Sequence, residues 1–202
     1  MIKYIILILF LSFTIYSCAK KSDTSSTTWA SYVSKIDGST ASGSITVGSE
    51  ALSGTYNSVC SSYPSDYPPS STDSFGTSLT VTSNSSYVES VNYYSDSSCT
   101  STDGYISWYY DNVTIGSAVD ANYKLTTYIT KLGLKPYTSS FKTHVDGMYY
   151  SSISTTTIGS EYAYSYGRSY FQLINVTATT VKLAKSSLDY PTSLGDSQEL
   201  VK

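Results

Sequence analysis

The only histidine, His144, stands two residues before Asp146 in a chain rich in serine. A serine, a histidine and an aspartate can form a nucleophilic triad, but the triad needs a turn that presents the serine. The chain has no G-x-S-x-G sequence, which forms that turn between a strand and a helix. We therefore expect His144 to be a loop residue, and we expect no enzyme activity.

The sequence has no residue pattern that indicates metal binding, glycoside hydrolysis or nucleic-acid binding. The histidine and the cysteines lack metal-ligand spacing, and glycoside hydrolysis needs two carboxyl groups whose separation only a structure gives. With a net charge of −3 and a pI near 5.0, the chain has no basic field for nucleic acid. We predict no metal, no cofactor and no nucleic-acid partner. We assign single aspartates to turns, none of them in a calcium loop: Asp96, Asp103, Asp111, Asp120 and Asp146.

Tyrosine is the residue type that stands out, with 22 Tyr against 5 Phe and 2 Trp. Side chains alternate between the two faces of a strand, so some of these rings must face inward and others outward. Inside a barrel they could hold a small planar or amphipathic ligand, outside they could contact another protein, or they could serve only as strand formers. The candidate ligand-lining residues are Tyr94, Trp108, Tyr110, Tyr123 and Leu125.

The elements that must position these side chains are strands. Short runs of tyrosines and β-branched residues alternate with Gly, Asn, Asp, Ser and Pro, which is typical of successive antiparallel strands and turns. No long stretch has helical periodicity. The predicted strands are 51–60, 76–83, 86–94, 104–115, 121–132, 161–166, 169–176 and 179–184.

The N-terminus predicts export. Lys3 is followed by an uncharged apolar run from Tyr4 to Tyr16, which is typical of a signal peptide over residues 1–17. Residues 15–18, Ile-Tyr-Ser-Cys, resemble the lipobox of bacterial lipoproteins. The resemblance implies that Cys18 carries a diacylglycerol anchor in the cell envelope. Ala19 after the cysteine implies the outer membrane, on its periplasmic or surface face.

If Cys18 carries lipid, the remaining cysteines, Cys60 and Cys99, form an even pair in an oxidising compartment. We therefore expect one structural disulfide between them. Residues 18–48 are rich in Ser, Thr and Gly, which indicates a flexible tether. A single domain is predicted over 49–190, followed by a C-terminal tail over 191–202.

Two segments resemble lipocalin-like barrels. Residues 52–56 resemble the G-x-W opening of those barrels, with Tyr56 in place of tryptophan, and residues 170–185 resemble their closing hairpin. The resemblance implies an all-β fold, an antiparallel up-and-down barrel of about eight strands; a β-sandwich is the alternative. It favours a small apolar or amphipathic ligand inside the barrel. The competing hypothesis is an interaction lipoprotein whose Tyr/Ser-rich surface contacts an envelope or host protein.

Overall fold

A computed structural model describes residues 31–63, 71–148, 156–184, 187, 189–195 and 197–202. The predicted signal peptide and Cys18 lie outside the described residues. The one helix in the described part of the chain is α1 (Ser139–Met148). No described helix is both long and apolar enough to cross a membrane. The strands are β1 (Ile45–Val47), β2 (Glu50–Leu52), β3 (Thr55–Asn57), β4 (Ser61–Ser62), β5 (Ser74–Ser83), β6 (Ser86–Tyr94), β7 (Thr102–Val119), β8 (Asn122–Pro136), β9 (Tyr162–Val176), β10 (Thr180–Leu183) and β11 (Glu199–Val201).

The strands close into a barrel. Over the described residues, consecutive strands from β5 to β11 pair antiparallel with each other. β3 pairs with both β11 and β5, which completes a ring of eight strands. The short β4 adds to β5, and β1 pairs with β2 as a separate hairpin. The predicted up-and-down antiparallel barrel is confirmed, and the sandwich alternative is wrong.

Alternation along β6 shows how the sequence divides the two faces of the wall. Tyr87 belongs to the interior core, and Glu89 and Val91 face an interior cavity. The intervening Ser90 donates a hydrogen bond to Asp37 on the outer side of the wall. Both faces of β6 are covered, the inner one by the core and the cavity and the outer one by the chain around Asp37. The predicted bounds 86–94 agree with the observed strand.

One predicted break does not occur. The sequence predicts two strands, 161–166 and 169–176, whereas β9 is continuous from Tyr162 to Val176. Gly167 lies at a shift in the register with β8, where Ile129 pairs with Arg168 and Lys131 with Ser165. The glycine therefore accompanies an irregularity in the pairing rather than a turn.

Helix α1 is an element that the sequence did not predict, and it makes the loop assignment of His144 wrong. The Thr138 hydroxyl accepts a hydrogen bond from the Phe141 amide at 3.2 Å, as an N-cap does. Phe141 and Val145, four residues apart, are fully buried. They complete a helix-side core with Ile106, Leu132 and Leu134. Gly104 makes room for this packing, because a Cβ there would lie 2.2 Å from the Phe141 ring.

The predicted tether and tail are wrong over the parts that the structure describes. Val33 is buried, and Ile45 and Val47 belong to the main core, together with residues such as Tyr56 and Leu79. The packed domain therefore includes residues 31–48. At the other end, β11 lies within the predicted tail and pairs with β10 and β3, so the tail closes the barrel.

The disulfide between Cys60 and Cys99 is confirmed, with their Cα atoms 5.9 Å apart. It links the chain just after β3 to the turn that follows β6. Val33 and Tyr94 pack around it in a third buried cluster. The disulfide thus links two parts of the barrel wall, and the covering segment around Val33 packs beside it on the outer face.

Candidate functional site

The barrel contains a partly open cavity of about 370 Å³. That volume is at the lower end of the range of roughly 300–1,000 Å³ typical of small-molecule sites. Trp108 packs against both the main core and the helix-side core, so the cavity borders both. The lining residues are Thr77, Glu89, Val91, Trp108, Tyr110, Gln172, Leu183, Ala184, Ser197, Gln198 and Leu200.

Two of the five candidate ligand-lining residues, Trp108 and Tyr110, line this cavity. Leu125 faces inward but is fully buried in the main core, against which Tyr123 also packs. Tyr94 lies in the cluster around the disulfide, and its hydroxyl donates a hydrogen bond to the Ser34 carbonyl at 2.9 Å. Tyr94, Tyr123 and Leu125 therefore do not line the cavity.

Glu89 is the ionisable residue among the nine lining residues that were not predicted from the sequence. It is the only carboxyl group on the cavity lining that the structure describes, and it lies directly across from Trp108 in the pairing of β6 with β7. It remains partly accessible because it borders the cavity. A single acidic residue between inward-facing Tyr87 and Val91 was the signal that could have identified it.

The surroundings of Glu89 favour its neutral form. Burial raises the pKa of its carboxyl to about 7, although a hydrogen bond from the Tyr110 hydroxyl acts in the opposite direction. The ion pairs within the described residues lie elsewhere: Lys35–Asp37, Lys131–Glu161, Lys142–Asp146 and Lys182–Glu199. None of these cations neutralises Glu89.

A fixed set of aromatic and amide groups surrounds this carboxyl group. The rings of Tyr87 and Tyr110 stack with centroids 4.6 Å apart. The Tyr87 hydroxyl donates to Gln172 Oε1 at 3.1 Å, and Gln172 Nε2 donates to the Ala184 carbonyl at 3.1 Å. Burial, reinforced by the nearby Glu89, raises the pKa of both tyrosines well above its usual value. Both hydroxyls therefore remain protonated donors.

The residues considered for catalysis do not meet at this cavity. His144 lies on α1, where burial lowers its pKa, and Asp146 pairs with Lys142 and accepts hydrogen bonds from Thr156. On the outer side of the wall, Asp103 accepts hydrogen bonds from three hydroxyl groups. Among the described residues, no three His, Cys, Asp or Glu side chains come together as a metal site would require.

The fold and the cavity define a class of protein: a closed eight-stranded antiparallel barrel with a small interior site that has mainly apolar walls and, among the described lining residues, one carboxyl group. No protein-family model matches the chain, and no curated protein matches it in sequence.

Proposed function

We propose that this chain is a non-catalytic, membrane-anchored bacterial lipoprotein that binds a small apolar or amphipathic molecule inside its barrel. The observation that carries the binding proposal is the interior cavity, with apolar walls formed by Val91, Trp108, Leu183 and Leu200. The anchor rests on the lipobox resemblance at Cys18, in the part of the chain for which no structure is described.

The dimensions of the cavity limit the ligand. A volume of about 370 Å³ corresponds to about twelve water molecules, at roughly 30 Å³ each. Replacing such water with an apolar molecule is favourable by about 25 cal/mol per Å² of apolar surface removed from water. The lining also includes the polar side chains of Glu89, Gln198 and Thr77, which can bind one polar end of a ligand. A small amphipathic molecule fits this combination better than a long acyl chain.

The alternative function is an interaction lipoprotein that presents its outer Tyr/Ser surface to an envelope or host protein. The observation that favours it is the exposure of Tyr32 and Tyr128, whose accessible fractions are 53% and 36%. Tyrosine supplies large contact area at low entropic cost in such surfaces. This function needs no ligand in the cavity.

Native mass spectrometry of the full chain, purified from its own cells in a neutral detergent, tests the proposal. We expect a stoichiometric extra mass that disappears on denaturation, while a diacylglycerol mass on Cys18 remains because it is covalent. Val91→Phe places a larger side chain into the cavity and should reduce ligand occupancy roughly tenfold. Val59→Phe, the same change at an exposed position, should leave occupancy unchanged.

A native spectrum of the wild-type chain without any non-covalent extra mass would contradict binding in the cavity. Equal ligand occupancy in a folded Val91→Phe variant would also contradict it. Near-ultraviolet circular dichroism establishes that each variant retains its tertiary packing. A chain that lacks the covalent lipid mass would contradict the anchor alone.

A further inference from the structure

The surroundings of Glu89 define the ligand more narrowly. We propose that the cavity binds a small molecule with a protonated amine, which contacts the Glu89 carboxylate while its apolar body lies against Trp108, Leu183 and Leu200. This inference rests on the proposed function and adds the charge of the ligand to it.

The cavity has a single charged group and no counter-ion for it among the described residues. In the described part of the chain, Glu89 is the one acidic or basic side chain on the cavity lining, and no described cation pairs with it. A buried carboxylate without a counter-ion is costly, and one hydrogen bond compensates only part of that cost. A cationic ligand supplies the missing charge. An anionic ligand would add a second negative charge to the same small cavity.

Glu89 also has free hydrogen-bonding capacity. An ionised carboxylate has about four acceptor sites, and the one hydrogen bond that Glu89 is known to accept comes from Tyr110. Gln172 already has one partner on its oxygen, the Tyr87 hydroxyl, and one on its nitrogen, the Ala184 carbonyl, so it offers a cation less free acceptor capacity than Glu89 does. An ammonium group has three donors and no acceptor, so it matches the free acceptor capacity of Glu89.

Trp108 lies where it can contact a cation bound to Glu89. Glu89 and Trp108 are paired residues on β6 and β7, and both line the cavity. A tryptophan ring attracts a cation within about 6 Å of its centre, and this attraction is strongest where water is excluded. An ammonium group on Glu89 would therefore lie beside the aromatic surface that favours it most.

The same groups determine how binding depends on pH. The titratable groups around Glu89 are Tyr87 on its own strand and Tyr110 on β7, with Tyr170 on β9 next to Tyr110. The lining residues from β5, β10 and β11 are Thr77, Leu183 and Leu200, which carry no charge. Because burial raises the pKa of Glu89 to about 7, the amine should bind more weakly as the pH falls below about 7.

Isothermal titration calorimetry with three probes of one shape tests this inference: 2-phenylethylamine, 2-phenylethanol and 3-phenylpropanoate. The full chain is used in a neutral detergent at about pH 8, where most Glu89 is ionised. We expect the amine to bind roughly tenfold or more tightly than the alcohol, and the carboxylate to bind weakest.

Glu89→Gln keeps the shape and removes the charge, and it should bring the amine to the affinity of the alcohol. Glu199→Gln removes an exposed carboxyl group that pairs with Lys182, and it should leave all three affinities unchanged. Near-ultraviolet circular dichroism again verifies folding of each variant.

Equal or tighter binding of the alcohol or the carboxylate would overturn the inference and leave cavity binding intact. An amine preference that survives Glu89→Gln would also overturn it, because another group would then recognise the charge. If none of the three probes binds, the inference fails together with the binding of such small molecules.

Discussion

Glu89→Gln will stabilise the barrel by about 3 kcal/mol at about pH 8, in the absence of ligand. The reason is that burial raises the pKa of Glu89 to about 7 in the folded chain, whereas the unfolded chain exposes it to water. The folded state therefore binds the proton more tightly. Stability from the neutral form is complete below the unfolded pKa and is lost as the pH rises through about 7. Glutamine is neutral at every pH and avoids that loss.

Urea unfolding of the wild-type chain and of the variant between about pH 5 and about pH 8 measures this effect. The wild-type stability should fall across the interval relative to that of Glu89→Gln. The lowered pKa values of Asp96 and Asp146 affect both chains alike and cancel in the difference. A variant that is less stable than the wild type at about pH 8 would show that Glu89 has a counter-charge in the folded chain.

The expected stabilisation bears on function. A residue that weakens its own fold at neutral pH, at the edge of a cavity, is typical of a site that serves binding rather than packing. Filling the same position with a neutral isostere should help the fold and harm ligand recognition. That opposition separates a ligand-binding group from a merely structural one.

Removing the disulfide will cost about 4 kcal/mol of unfolding free energy. Cys60 and Cys99 are 39 residues apart, and the cross-link restricts a loop of that length in the unfolded chain. The double variant Cys60→Ser/Cys99→Ser avoids an unpaired thiol. We also expect the covering segment around Val33 to loosen, because Val33 packs in the cluster that contains the disulfide.

Urea unfolding of the oxidised wild-type chain and of the double variant measures the loss, and the wild-type chain in excess reductant is the matched control. The reduced chain and the double variant should agree within about 1 kcal/mol. A double variant as stable as the oxidised chain would contradict the stabilising role of the cross-link.

The strands were predictable because one face of the barrel wall is buried. A period of two along Tyr123–Ile129 of β8 follows directly from that burial. On β6 both faces are covered, and small polar side chains such as Ser90 lie on the outer one. Helix α1 was not predictable. It has only ten residues, and the hydrophobic side chains that it buries are Phe141 and Val145, four positions apart. So short a segment shows no clear periodicity. Its packing requires Gly104 on a distant strand.

The covering segment and the cavity show a second limit. Val33, Ile45 and Val47 are isolated apolar residues among serines and threonines, and only the tertiary fold gives them a buried surface. Along β6, Tyr94 falls on the same outer face as Ser90, and the tertiary fold places the disulfide cluster there. Trp108 and Tyr110 were among the predicted lining residues. Glu89 was not, because its raised pKa depends on burial that only the folded barrel provides.

The most direct test of ligand binding in the barrel is a set of intermolecular nuclear Overhauser effects from 2-phenylethylamine to the methyl groups of the chain. If the probe binds in the barrel, we expect contacts from it to Val91, Leu183 and Leu200, which line the cavity. Saturable binding with contacts only to exposed methyl groups, such as those of Val59 and Ile158, would contradict it.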